Sequence, residues 1–178
     1  MSNSSNLTSP AKAPPHHTMQ ARQTRDKQHY TPDGNRYVSV CIGLNSINTR
    51  SPGVKIPDGA QEGQMVLIVS SSRDRGRWVL PKGGWETDES DEEAALREGW
   101  EEAGIIGKIT KRLGEFKDSS SHFIYFQVEV HEVKDEYPEM GKRNRRWVTY
   151  DEAMKILRRD MFKDMLRKSE IVQSPLLS

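Results

Sequence analysis

From Gly83 the chain reads GGWETDESDEEAALREGWEEAGI, which sets Gly83, Glu89, Arg97, Glu98, Glu101, Glu102, Gly104 and Ile105 at the spacing Gx5Ex7REGxEExGI. This stretch fixes a helix at both ends. Ser90 followed by Glu93 makes a capping box, in which each side chain satisfies a main-chain amide left orphaned at a helix start. Asp91, Glu92 and Glu93 fill the first turn, where the helix dipole favours negative charge, and Ala94, Ala95 and Leu96 have high helix propensity. Gly104 supplies the stop, so the spacing predicts a helix from Ser90 to Ala103.

Along that helix Glu98, Glu101 and Glu102 stand at i, i+3 and i+4 and project from one face. Like charges this close repel one another unless a cation neutralises them. Hard oxygen donors with no Cys or His beside them suit magnesium, or manganese, rather than zinc. Arg97 lies about 100° around the helix from Glu98 and, with Glu89, reads as a scaffold that pins a neighbouring carboxylate. Gly83 and Gly84 permit a tight turn beside the helix, bringing a backbone carbonyl towards the metal.

The spacing resembles the Nudix box, the signature of enzymes that cleave a nucleoside diphosphate, or another pyrophosphate, linked to a further group. Beyond the box, RWVLPKGGWE, the preceding Ser70, Ser71, Ser72 and Arg73, and GKRNRRW followed by a DEA helix resemble the diphosphoinositol polyphosphate phosphohydrolases. The likeness runs from about Arg25 to Val172. It implies removal of the β-phosphate of diphosphoinositol polyphosphates, with activity on diadenosine polyphosphates, inorganic polyphosphate and capped RNA in related enzymes. It also implies metal ligation by Glu98, Glu102 and the carbonyl of Lys82, and a general base at Glu101. Phosphate or inositol contacts are implied at Arg25, Arg36, Ser71, Ser72, Arg73 and Arg143, with Lys82 assisting the leaving group.

Gly99 departs from the box, which expects an aliphatic residue there; it costs about 1 kcal/mol of helix propensity against Ala. Trp100 is expected to fill the lost volume. Lys82 replaces a glycine of some relatives, and KDSSSH, residues 117 to 122, is Ser-rich where those relatives are basic, leaving Lys117 or His122 to supply charge. A dinucleotide polyphosphate hydrolase or an RNA decapping pyrophosphatase is the alternative, requiring a purine-stacking ring from Trp85, Phe116 or Tyr125. A noncatalytic polyphosphate-binding module is a third reading, disfavoured by a base placed beside metal ligands.

The remaining sequence suits one α/β domain. YVSVCIGL from Tyr37, MVLIVSS, Trp78 to Leu80, His122 to Val130 and Arg146 to Val148 read as strands, and a single helix is expected from Tyr150 to Lys168. Helices flanking these strands imply an α/β/α sandwich around a mixed sheet, the Nudix fold. Residues 1–28 are expected to be a disordered tail, 29–172 the domain with an inserted loop at 45–63, and 173–178 a second tail. Net charge is +1, so only the local clusters Arg73, Arg75, Arg77, Lys82 and Lys142, Arg143, Arg145, Arg146 suggest a polyanionic partner. The one cysteine, Cys41, excludes an internal disulfide and reads as a buried strand residue. With no membrane span or signal-peptide core, the chain is expected in the cytoplasm, also in the nucleus, as a monomer acting on a small polyphosphorylated substrate.

Overall fold

The computed structural model describes residues 17–45 and 64–171; residues 1–16 of the expected 1–28 tail, the expected tail at 173–178, and all of the 45–63 loop but Asn45 lie outside them. Seven strands form one mixed sheet: β1 Arg36–Asn45, β2 Val66–Ser70, β3 Trp78–Val79, β4 Lys82–Gly84, β5 Ile105–Lys117, β6 Ser121–Val133 and β7 Arg145–Val148. The central order is β3-β2-β1-β6-β5, with β4 beside β1 and β7 beside β2. β1 and β6 run parallel, and the other pairs are antiparallel.

The helices are α1 Asp91–Ala103, α2 Tyr150–Ile156 and α3 Asp160–Lys168. From His122 to Val128, β6 is buried without interruption, as a strand covered on both faces must be. Its alternating side chains define the layers. Ile124 and Phe126 pack with Ala95 of α1. On the opposite face, Lys168 of α3 donates to the Tyr125 hydroxyl at 2.8 Å, and the Arg159 guanidinium lies 6.0 Å from the Phe123 ring centre. The sandwich is α1, sheet, then α2 and α3, with Met161, Phe162, Met165 and Leu166 buried in the main core.

Four segments differ from expectation. Gly83 and Gly84 do not turn but extend in β4 beside β1, with Gly83 opposite Ser39 and Gly84 opposite Val38. The single carboxy-terminal helix is two, because Leu157 has an extended ψ of 118° and Arg159 an extended ψ of 126°. β5 was not anticipated. It pairs with β6 through register shifts at Ile106/Gly107, Ile109/Lys111 and Arg112/Gly114, so its apolar residues fall out of strict alternation. Residues 17–28, assigned by composition to a tail, make defined contacts: Gln28 is buried and bridges to Glu86, and Thr18 meets Trp100. Among the described residues, no helix is long and apolar enough to cross a membrane.

Candidate active site

The acidic helix starts and stops at the residues its sequence marks. Ser90 Oγ accepts from the Glu93 amide at 3.1 Å, Glu93 returns the bond to the Ser90 amide at 2.8 Å, and Gly104 closes the helix at φ 69°. A Cβ on Gly104 would meet the Lys134 carbonyl at 2.7 Å, so space as well as backbone conformation requires glycine. The resulting phase turns Glu98, Glu101 and Glu102 inward to 8%, 5% and 5% exposure. β4 fits against them. A Cβ on Gly83 would fall 2.2 Å from the Glu98 carboxylate, and the Lys82 amide donates to Glu102 Oε2 at 3.1 Å.

Guanidinium groups hold this cluster. Arg97 bonds Glu89 at 2.9 Å through Nε and 2.7 Å through Nη2, the Gly84 carbonyl at 2.7 Å, Glu98 at 2.8 Å and Glu101 at 3.4 Å. Arg143 bonds Glu102 at 2.8 Å and pairs with Glu139. Burial, then the Glu98 charge, pushes Glu101 up to about 7 and Glu102 up to about 8, against Arg97 and Arg143 respectively. Glu98 also lies above the ordinary carboxylate range, again chiefly through burial. Proton uptake is how such a cluster relieves repulsion when guanidinium charge does not suffice.

The carboxylates form part of the wall of a cavity of about 580 Å³. Arg25, Arg36, Ser71, Ser72, Arg73, Lys82 and Arg143 all line it, as do Gly83, Gly84 and Arg97. Glu89 and Gly104 are not among the lining residues and act through Arg97 and the helix end. Arg36 donates to Gln28 at 2.7 Å, and burial followed by the Arg25 charge lowers its pKa. Lys82 Nζ stands 5.7 Å from the Phe162 ring centre and is held below the usual lysine range by burial, with Arg143 and Arg159 adding to this against Glu102.

Arg22, Glu139 and Arg159 also line the cavity and were not picked out from sequence, while Arg77 of the first basic cluster lines it as that cluster suggested. Arg159 lies in the break between α2 and α3, which a continuous helix concealed. Of the second basic cluster only Arg143 reaches the cavity. Arg145 donates to the carbonyls of Ala103 and Lys134 and lies over Tyr137, whereas Arg146 pairs with Glu152. Lys117 and His122 do not line it; buried His122 pairs with Glu115 at 2.6 Å. Trp85, Phe116 and Tyr125 are also elsewhere, with Trp85 packed on His29 and Tyr37. Burial pushes the Cys41 thiol up to about 12, which suits packing rather than nucleophilic chemistry.

Among the described residues, no group of three or more His, Cys, Asp or Glu already stands in an arrangement that could hold a metal ion. The expectation of a metal site is not met by a ready-made ligand set, since Arg97 and Arg143 engage the carboxylates instead. The donor chemistry nevertheless fits a hard divalent cation. All three carboxylates are buried and pushed towards protonation chiefly by burial, and Glu98 packs so closely on Gly83 that no Cβ would fit there.

A family model described as NUDIX domain matches residues 49–168. Nudix hydrolase 4 of Arabidopsis thaliana is 38% identical over 143 residues, covering 76% of this chain and 66% of that protein. Diphosphoinositol polyphosphate phosphohydrolase 3-alpha of Mus musculus is 31% identical over 153 residues, covering 82% of this chain and 85% of that protein. The crystal structure of a C. elegans Ap4A hydrolase binary complex superposes with a TM-score of 0.57 at 20% identity, covering 74% of this chain and 93% of that one, and so shares the fold.

Proposed function

The chain belongs to the Nudix hydrolase family, and from this premise we propose that it removes the β-phosphate of diphosphoinositol polyphosphates in a magnesium-dependent reaction, and also cleaves diadenosine polyphosphates and inorganic polyphosphate. The observation that carries this reading is one cavity with buried carboxylates in its wall and Arg25, Arg36, Arg73, Arg77, Arg143 and Lys82 around them. Such a surface recognises a small, densely charged anion on several sides.

Glu98, Glu102 and the Lys82 carbonyl would hold magnesium, or manganese, which when bound neutralises oxygens of the scissile pyrophosphate. Glu101 orients the attacking water and takes its proton, a task for which a carboxylate of pKa about 7 is suited near neutral pH. Arg73 and Arg143 grip phosphate oxygens as planar forks, and Lys82 supplies a proton or charge to the leaving phosphate. Arg25 and Arg36 hold the more distant phosphates. Arg97 and Glu89 keep the carboxylates aligned without touching the substrate.

A dinucleotide or capped-RNA substrate calls for a ring that stacks on a purine. Among the described residues that line the cavity, Phe162 is the single aromatic one, and its ring is buried under Lys82. This disfavours the nucleotide reading. Offering a diphosphoinositol polyphosphate and a diadenosine polyphosphate in competition, with magnesium present, tests the choice. Faster orthophosphate release from the inositol compound is expected. Preferential nucleotide products would make the dinucleotide reading primary, and no product from either would favour a binding module.

A further inference from the structure

The segment from His17 to Gln28 crosses the outside of α1 and is tied down at both ends. At one end the Trp100 indole N–H donates to the Thr18 carbonyl at 2.8 Å, and the His17 ring centre lies 4.9 Å from that of Trp100. At the other end Gln28 Nε2 donates to the carbonyls of Tyr37 and Trp85, each at 3.0 Å, and the Thr87 amide donates to Lys27 at 2.7 Å. Between these anchors the Arg22 side chain pairs with Glu86 and Asp88, and its backbone N–H donates to Glu101 Oε1 at 3.3 Å.

The underside of this segment is not packed. A cavity of about 310 Å³ lies there, lined by residues that include His17, Thr18, Arg22, Leu96, Trp100 and Glu101. The position of the Arg22 amide is consequently set by the two anchors and by the Arg22 ion pairs with Glu86 and Asp88, not by a filled core. Among the described residues, the other oxygen of Glu101 has only a 3.4 Å contact with Arg97, whose same nitrogen also bonds Glu98 at 2.8 Å. One well-shared guanidinium leaves a carboxylate torsionally soft, because its terminal rotation is broad. A second donor on the opposite oxygen removes that freedom, and each oxygen keeps a lone pair for a further bond.

We infer that residues 18–22 are a positioning strap, in which the Arg22 main-chain amide, 79 residues away in sequence, fixes the orientation of Glu101 inside the cavity. The inference rests on Glu101 acting as the base. It extends the working site to a segment outside residues 49–168, where the family model matches. Arg22 acts through Glu101 in this role, so its loss should change turnover more than substrate affinity.

The test is steady-state kinetics on the full chain with magnesium and a diphosphoinositol polyphosphate. Arg22→Pro removes the amide hydrogen, whereas Arg22→Ala removes the guanidinium and keeps the amide. A kcat about tenfold lower in Arg22→Pro, with KM within about twofold, is expected for a misoriented base. Arg22→Ala should lose much less kcat. Trp100→Phe, which removes the indole donor at the far anchor, should lower kcat in the same direction and carries the test should Arg22→Pro not fold. In a Glu101→Gln background, Arg22→Pro should add no further loss. Equal kcat losses in the Pro and Ala variants, or an undiminished loss in the Glu101→Gln background, would overturn the strap while leaving Glu101 as base. Wild-type turnover by Glu101→Gln alone would overturn both.

Discussion

Gly99 stands where the Nudix signature has an aliphatic residue, and its neighbour on the sheet explains why. A Cβ at Gly99 would lie 2.8 Å from Cys41 Sγ and 3.4 Å from Cys41 Cβ. Here β1 fills with a sulfur atom the volume that a side chain on α1 would otherwise take. Trp100 does not fill it, contrary to the sequence reading, because its ring is committed to His17 and Thr18. Gly99→Ala should therefore destabilise the fold by about 1 kcal/mol despite the better helix propensity of alanine, since overpacking costs more than propensity returns. Adding Cys41→Ala leaves only ordinary contacts, 3.4 Å to the Cβ of residue 41 and 3.6 Å to Ile105 Cβ, and should recover most of that loss. Urea unfolding of the two single variants and the double variant measures the coupling; additive effects would deny the contact. The carboxylates were legible because helical spacing alone brings them together. Arg22 and Arg159 were not, since long-range docking of one segment and a break between helices place them.

At the scale of the element, α1 is well capped at both ends but carries three buried acids whose folded pKa values are raised. The sign follows from linkage. With unfolded glutamates near 4.3 and Glu101 and Glu102 at about 7 and about 8 in the fold, protonation is favoured by folding. The stability these groups contribute is complete below the unfolded pKa and is lost as pH rises through about 7 to 8. Melting temperature in the absence of divalent cations should fall between pH 5.5 and 8.5, and Glu102→Gln should flatten that slope. Magnesium should raise the melting temperature more at pH 8.5 than at pH 5.5, because cations bind deprotonated carboxylates. A magnesium effect independent of pH would argue against ligation by these groups. β5 shows the converse case in legibility. Its bulges and exposed lysines hide a thirteen-residue strand from any alternation test.

Across the whole molecule a net charge of +1 conceals a strong separation of charge. The sheet order brings the Ser71–Arg73 turn after β2, the Lys82 strand, Arg143 before β7 and Arg159 between α2 and α3 around one cavity. Exposed parts of that rim are open to screening, with a Debye length of about 8 Å at physiological salt. Raising salt from 0.05 to 0.5 M should increase KM for a polyphosphorylated substrate several-fold and leave kcat nearly constant; a salt-insensitive KM would mean that the rim does not attract the substrate. The sandwich itself was readable from alternation and caps, since each is local. The convergence of four separate segments on one cavity depends on strand order, which no local pattern in the chain encodes.

In the proposed reaction Glu101, buried beside Glu98 and Glu102, acts on the water that attacks the pyrophosphate. Its most direct test is orthophosphate release by Glu101→Gln and wild type under saturating diphosphoinositol polyphosphate and magnesium. A fall in kcat of about a hundredfold or more, with KM within a few-fold, is expected for loss of a general base. Turnover near wild type would contradict the claim and move the base elsewhere in the cavity.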